Sequence, residues 1–560
     1  MGKNVLIIVP PNITYEAFIR PTKNTKSFKH KSGRECGVII TDVPLGPLTL
    51  SSWLKEKCDA QVKIIDFNVE IHKNWDHPDE DNFELWFYER LSSPDVAGFE
   101  PDIIGFSSLF VTGFKNLLAL GRVAKKLFPN AVQIVGGNLA TTMYNEIYAE
   151  EQACFDALCY GEGELPLLEL MAADDPVEYL GKSPSWVTRE KIGRNTAFAH
   201  NFINDLDEIP YLDYGAIDLR DYHYSPTIEA YTSIGDKANY LTYMTSRGCP
   251  FFCTFCSAHT VHGRKMRYFS LDRVREELSH FVENCTVNTL VIEDDHFLSN
   301  KERALGVLEI ANELNLVCFF PNALALYGLD REMLEALAAN GVRQLTLAVE
   351  SGSARVLKEV MRKPLRLDIT YQVAKDCEEL GIYTDCNIIL GMPGETMADI
   401  EETRAFLKTL SANWFRINVA TPLAGSEMYI KAKEKGQIVG DIRMAGYKQC
   451  VVRTDDFEPG QIEKIAYEMN LELNFLHNLD VRRGNWQRAI ESFENVLSLK
   501  EDHALASFML FKCHAAAGEQ ETSDAYLRKT AAIYAVDPFW KKFFDARDLQ
   551  YELADEVLTP

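Results

Sequence analysis

Twice along this chain, short apolar runs alternate with stretches of helical spacing, and that alternation confines the fold to parallel sheets with helices packed on them. In the first 175 residues the strand candidates are 5–9, 62–66, 102–108, 131–135 and 157–160, with helical spacing at 47–57 and in a stretch ending at Leu127. This predicts a doubly wound parallel sheet over 1–175. Residues 176–235 are rich in Asp, Pro and Tyr with little periodicity and read as a linker. From 236 to 430 the alternation resumes, with strands at 240–245, 289–293, 318–320, 344–349, 385–390 and 416–420 and helices such as 271–281, 301–313 and 331–339. Six such units make a partial (β/α) barrel whose chemistry sits at the C-terminal mouth.

The tail, 431–560, reads as wholly helical. Gly484-Asn-Trp-Gln-Arg-Ala-Ile-Glu-Ser-Phe493 recurs loosely as Gly518-Glu-Gln-Glu-Thr-Ser-Asp-Ala-Tyr-Leu527, an offset of 34 residues, the tetratricopeptide (TPR) period. Two copies are too few for a solenoid, so the expectation is a small TPR-like appendage serving as a homodimer or partner surface, or a simple helical lid.

Cys249, Cys253 and Cys256 form a CxxxCxxC loop directly after the apolar run 240–244. With 13 Cys in 560 residues, chance gives roughly 0.007 such patterns. Thiolates this close can grip one face of an iron–sulfur cluster, and three of them leave one iron of a cubane open. A structural zinc site is the alternative; it needs a fourth ligand, and His259 and His262 are near. Strand ends elsewhere carry small or acidic residues: Pro11 and Asn12, Ser107 and Ser108, Gly136-Gly137-Asn138, and Tyr160-Gly161-Glu162-Gly163 in the first unit. In open α/β sheets ligands lie beyond the carboxyl ends of the strands, and small residues there let a large planar ligand approach the backbone. In the second unit the strand ends are Glu293-Asp294-Asp295-His296, Glu350-Ser351-Gly352-Ser353, Gly391-Met-Pro-Gly394-Glu-Thr396 and Ala420-Thr-Pro-Leu-Ala-Gly425. Each carboxylate there also has a structural reading as the cap of the next helix.

In this order the motifs resemble the cobalamin (B12)-dependent radical SAM enzymes, over roughly residues 1–430 and including Pro44-Leu-Gly-Pro-Leu48. The resemblance implies a flavodoxin- or Rossmann-like cobalamin-binding domain followed by a TIM-type radical SAM core. It implies a [4Fe–4S] cluster on Cys249, Cys253 and Cys256, and S-adenosylmethionine contacts from Phe255, Glu293, Asp294, Glu350, Ser351, Gly391 and Gly394. Cobalamin contacts are implied for Pro11, Asn12, Ser107, Ser108, Thr112, Gly136, Gly137, Asn138, Tyr160, Gly161, Glu162 and Gly163. The Asp-x-His-x-x-Gly signature, whose His replaces the lower cobalt ligand in many cobalamin proteins, is absent. His30-Lys-Ser-Gly33 has its second half, but Phe28 stands where the Asp belongs. Base-off cobalamin without a His ligand is therefore expected.

In the family, a 5′-deoxyadenosyl radical made from S-adenosylmethionine activates a substrate carbon, or phosphorus in some members, and methylcobalamin supplies the methyl group. The implied activity is that of a methyltransferase acting on a small molecule or peptide, with an electron donor such as flavodoxin or ferredoxin. Relatives that form or rearrange rings share both domains. A cofactor-bearing adaptor working through the helical tail, and a flavodoxin-like domain without a cofactor, are the alternatives from other classes.

Composition narrows the setting. A net charge of −24 argues against DNA or RNA as a standing partner. No window approaches about 18 uninterrupted apolar residues, so no membrane span is expected. The start, Met-Gly-Lys-Asn-Val-Leu-Ile-Ile-Val-Pro, is too short in its apolar part for a signal peptide. An odd number of scattered cysteines points to a reducing, cytoplasmic setting.

Overall fold

The computed structural model describes residues 3–21, 27–30, 32–39, 41–76, 80–194, 196–222, 239–444 and 448–553. Five parallel strands, β1 (Asn4–Val9), β2 (Gln61–Asp66), β3 (Ile103–Ser107), β4 (Val132–Gly136) and β5 (Ala157–Cys159), form the first sheet in the order 2-1-3-4-5. β1 lies between two neighbours with both faces covered, which is why its sequence is a near-continuous apolar run. Alternate residues enter different cores: Val5 and Ile7 one, Leu6 and Ile8 the other. Helices α1 (Leu45–Cys58) and α3 (Glu164–Ala172) bury Leu48, Trp53, Leu54, Leu167 and Leu170 in the first core. Helix α2 (Phe114–Leu127) buries Phe114, Leu117 and Leu120 in the second. The sheet is thus wound on both faces. Its strand order reverses between β1 and β3, opening a crevice at their carboxyl ends.

The sheet does not stop at residue 175. A two-residue strand, β6 (Trp186–Val187), pairs antiparallel with β5 and carries the sheet into the expected linker. Farther on, Leu206, Ile209 and Tyr214 are buried in the core shared with the barrel, and the Tyr214 hydroxyl donates to the Thr242 carbonyl. Residues 223–235 of that linker lie outside the described residues.

Six further parallel strands follow: β7 (Tyr240–Tyr243), β8 (Thr289–Ile292), β9 (Val317–Phe319), β10 (Gln344–Glu350), β11 (Tyr383–Leu390) and β12 (Trp414–Val419). They form two ladders, 7-8-9 and 10-11-12, joined by a single parallel bridge between Leu324 and Leu347. Helices α4 (Leu271–Asn284), α5 (Lys301–Glu313), α6 (Arg331–Ala339), α7 (Leu367–Glu379) and α8 (Met397–Thr409) run between them. Strand residues such as Leu241, Leu290, Leu345, Cys386 and Phe415 point outward into the same core as Val5 and Ile7, so the two α/β units share one hydrophobic interior.

The tail is not wholly helical from 431, because Ile438 and Val452 form an antiparallel bridge first. Helix α9 (Pro459–Leu471) then packs Ile462, Ala466 and Met469 into the barrel core. Asn474 closes the free edge of β12: its Nδ2 donates to the Phe415 carbonyl at 2.8 Å and its Oδ1 accepts the Phe415 amide at 2.8 Å. Helices α10 (Trp486–Leu499), α11 (Ala504–Ala517), α12 (Gln520–Val536) and α13 (Pro538–Asp545) enclose a separate core around Phe493, Leu505, Phe508 and Phe544. Gly484 and Gly518, the two residues that open the sequence repeat, are both left-handed helix caps. In the second copy Ser523, in place of the first copy's Ala489, donates to the Phe511 carbonyl at 3.0 Å. Among the described residues no helix is long and apolar enough to cross a membrane.

Candidate active site between the two α/β units

The cysteine loop hangs from a short hairpin in which Ser246–Arg247 pairs antiparallel with Arg267–Tyr268. Gly248 has φ +99°, and a Cβ there would lie 2.6 Å from the Lys265 carbonyl oxygen, so only glycine can begin the loop. The Thr254 amide donates to the Met361 carbonyl at 2.9 Å, its hydroxyl to the Val360 carbonyl at 2.9 Å, and its own carbonyl accepts the Met428 amide at 2.9 Å. The thiols of Cys249, Cys253 and Cys256 are free and partly buried. Burial pushes Cys253 up to about 11 against the pull of the Lys363 ammonium, and the other two cysteines push the same way as burial. Among the described residues no three His, Cys, Asp or Glu side chains converge as a single metal ion requires, and the His262 Nδ1 is spent on Glu162 at 2.7 Å. With His262 held by Glu162, a zinc site lacks that fourth ligand, whereas three thiols on one loop suit a cluster held by three cysteines. Phe255 packs against the cluster of apolar residues that includes Met392 and Ala420, at the carboxyl ends of β11 and β12.

Around this loop the barrel's strand ends divide into groups that are committed and groups that are not. Asp294 is committed. It accepts the Thr245 amide at 2.6 Å, the Thr245 hydroxyl at 2.6 Å and the Ser246 hydroxyl at 2.5 Å, and so ties the end of β8 to the start of the hairpin. Asp294, expected among the S-adenosylmethionine contacts, here bonds to the chain itself. Its neighbour Asp295 lines the cavity described below, and its buried Oδ2 has no hydrogen-bond partner. Glu293 lines the same cavity, accepts from Asn322 Nδ2 at 2.8 Å, and is pushed up to about 7 by burial and then by the charge of Asp42. Glu350 stands at φ +64° just after a bulge in the β10–β11 ladder, where it pairs with Ile388, and it accepts from Lys363 Nζ at 3.0 Å. A non-glycine residue held there stores about 1–3 kcal/mol of strain. Its charge reaches Cys253 and Cys256.

Ser351, also expected at S-adenosylmethionine, likewise bonds within the chain. It is fully buried, within 3.1 Å of the Thr403 hydroxyl, and accepts the Ser353 amide at 3.1 Å. Gly391 (φ +83°) and Gly394 (φ +92°) shape the turn after β11, where the Gly391 amide donates to Glu395 Oε2 at 2.6 Å. His296 is used too: its Nε2 meets the Tyr327 hydroxyl, and burial followed by the Lys363 charge lowers it to about 4.

A cavity of about 470 Å³ runs from the crevice of the first sheet to the mouth of the barrel. Asn12, Ser107, Ser108, Gly136, Gly137, Asn138, Gly161, Glu162 and Gly163 line its first wall. Gly137 (φ +93°) sits so close to β3 that a Cβ would lie 2.5 Å from the Ser108 carbonyl oxygen, and the buried Asn138 Oδ1 lacks a protein partner. A glycine-shaped cradle with an orphaned amide oxygen fits a large ligand bearing amide donors, as the corrin periphery does. Three expected contacts do not reach the cavity. The Pro11 carbonyl accepts from Asn116 Nδ2 at 2.9 Å, the Thr112 hydroxyl donates to the Asn12 carbonyl at 2.6 Å, and Tyr160 packs with Tyr144, Phe198 and His200. They brace the wall from behind. His30 is occupied as well, its Nδ1 near Ser32 Oγ at 2.8 Å and its Nε2 near the Trp75 carbonyl at 2.9 Å.

Glu162 faces the cavity, yet its carboxylate binds the hairpin: Arg267 at 2.5 Å, His262 at 2.7 Å and Arg247 at 3.2 Å, while Glu164 takes Arg247 at 2.8 Å. Burial alone would raise Glu162, but Arg247, His262 and Arg267 together hold it well below the usual carboxylate range. Sequence reasoning missed this joint, along with Lys363.

A glycine-walled B12-type crevice facing a three-cysteine barrel loop defines a two-cofactor α/β protein. Residues 43–171 match the B12 binding domain, and residues 243–407 match the radical SAM superfamily. The chain belongs to the cobalamin-dependent radical SAM enzymes. It is 27% identical over 466 residues to cytidylyl-2-hydroxyethylphosphonate methyltransferase of Streptomyces wedmorensis, covering 77% of this chain and 86% of that one. Among solved structures it superposes on the cobalamin-dependent S-adenosylmethionine radical enzyme OxsB with a TM-score of 0.61 at 14% identity, over 100% of this chain and 82% of that one. It superposes on the methyltransferase TsrM of Kitasatospora setae with a TM-score of 0.56 at 16% identity, over 83% of each.

Proposed function

We propose that this protein is a cobalamin-dependent radical SAM methyltransferase acting on a small molecule or peptide. The observation that carries the reading is the shared cavity. Glycine-rich strand ends of the first sheet form one wall, and Glu293, Asp295 and the loop residues Ser257, Ala258, Val261 and His262 form the other. The S. wedmorensis relative and TsrM are both methyltransferases by name, which favours methyl transfer over ring formation.

Cys249, Cys253 and Cys256 would hold a [4Fe–4S] cluster. Phe255, Glu293, Asp295, Glu350, Gly391 and Gly394 would surround S-adenosylmethionine, and Asn12, Ser107, Ser108, Gly136, Gly137, Asn138, Gly161 and Gly163 would cradle cobalamin. With His30 occupied behind the wall, cobalamin would sit base-off without a His ligand. When bound, these groups supply one-electron hydrogen abstraction and a methyl carrier. The chain's own residues supply placement. Glu293 and Asp295 present carboxylates to an ammonium, Glu350 with Lys363 flanks the cysteines, and Val43, Leu45 and Leu50 keep water from the cavity.

The unit boundaries 1–175, 176–235, 236–430 and 431–560 fit this division of labour once β6 is assigned to the first unit. The TPR-like tail would serve as a homodimer or protein contact, a flavodoxin or ferredoxin as electron donor, and the cytoplasm as location. The test is anaerobic turnover of fully reconstituted protein with S-adenosylmethionine and a reductant. 5′-Deoxyadenosine and S-adenosylhomocysteine rising together on substrate addition support methyl transfer; deoxyadenosine alone points to a ring-forming or rearranging enzyme.

A further inference from the structure

Arg247 and Arg267 face each other directly across the hairpin from which the cysteine loop hangs. Both are buried, with 7% and 4% exposure. Like charges opposite one another across two strands drive the strands apart, and buried cations need partners. Among the described residues the ion pairs of these two arginines run only to Glu162 and Glu164, residues of the first α/β unit. Glu162 grips Arg267 with both oxygens, at 2.5 Å and 2.9 Å, and also takes His262 from within the loop. Arg247 stands two residues before Cys249. The stem of the cysteine loop is therefore neutralised by two carboxylates that are not part of the barrel. One of them, Glu162, lies between Gly161 and Gly163 on the cavity wall.

We infer that Glu162 is the positioning residue for the cysteine loop, and that filling the cavity is felt at the cluster through Glu162, Arg247 and Arg267. Pressure on the wall at 161–163 moves the one group that holds both ends of the loop's stem together. The coupling is reciprocal, so a formed cluster also tightens the wall that faces cobalamin. This rests on the reading that the cavity takes cobalamin.

The test is hydrogen–deuterium exchange on the full chain, with and without hydroxocobalamin, together with EPR of the reduced cluster. In the wild-type protein, amides of 246–268 exchange several-fold more slowly once cobalamin is loaded. In Glu162→Gln that protection is lost and the cluster g-values shift, while iron content and corrin absorbance persist. Unchanged exchange at 246–268 in cobalamin-loaded wild-type protein overturns the inference even if the Glu162 variant does not fold. Wild-type protection and g-values in Glu162→Gln overturn it as well. Failure of the wild-type chain to take up any corrin overturns the cofactor reading beneath it.

Discussion

Asp294 is buried and its neighbour Asp295 half-buried, yet their removal has opposite consequences for stability. Asp294→Ala strands three donors, the Thr245 amide and the Thr245 and Ser246 hydroxyls, at 2.5–2.6 Å from where the carboxylate stood. It also removes a charge facing Arg303. Breaking a buried charge's contacts costs about 3–5 kcal/mol; the two hydroxyls can rotate to other acceptors, so the lower end, about 3 kcal/mol, applies. Asp295→Asn instead relieves a carboxylate whose Oδ2 is buried without a partner, a change worth between zero and about 1 kcal/mol of stabilisation. Urea unfolding of the anaerobic apoprotein measures both. With a slope near 3 kcal/mol/M, Asp294→Ala lowers the midpoint of the barrel transition by ~1 M, and Asp295→Asn leaves it or raises it slightly. In binding assays the order reverses: Asp295→Asn weakens S-adenosylmethionine binding to the reconstituted protein with stability intact. Equal destabilisation by the two variants, or a loss under about 1 kcal/mol for Asp294→Ala, refutes the assignment of roles.

Cys253→Ala abolishes cluster binding and S-adenosylmethionine cleavage while cobalamin stays bound, checked by iron content and corrin absorbance. Gly137→Ala forces a Cβ against the Ser108 carbonyl at φ +93°, a strain of about 1–3 kcal/mol at the cradle, and lowers cobalamin retention by ~10-fold or more in equilibrium dialysis. Glu395 is fully buried, and burial raises it from 4.5 to about 7 against bonds from the Gly391 and Met392 amides. Because its folded pKa is the higher one, the stability it contributes is complete below pH 4.5 and is lost as pH rises through about 7. Glu395→Gln removes that slope, worth about 3 kcal/mol, from the pH dependence of unfolding; an unchanged slope contradicts the assignment.

Much of the fold was legible because β1, β3 and β4 are short apolar runs separated by amphipathic helices. The cluster ligands were legible because Cys249, Cys253 and Cys256 lie within one loop. What escaped depended on direction or distance. Adjacent strand-end residues point to opposite sides, so nothing in Glu293-Asp294-Asp295 says which carboxylate enters the cavity and which ties down the hairpin. Gly161-Glu162-Gly163-Glu164 has the composition of a ligand loop, but the partners of Glu162 are 85, 100 and 105 residues away in sequence. Trp186–Val187 is too short to carry a period, and only its neighbour β5 makes it a strand.

The central claim of the proposed function is that cluster and cobalamin share one site between the two α/β units of a single chain. EPR of reduced protein carrying both [4Fe–4S]⁺ and cob(II)alamin tests it most directly. The account predicts a cob(II)alamin signal broadened by dipolar coupling to the cluster spin, and sharp again in Cys253→Ala. A sharp signal in wild-type protein with both cofactors bound would contradict it.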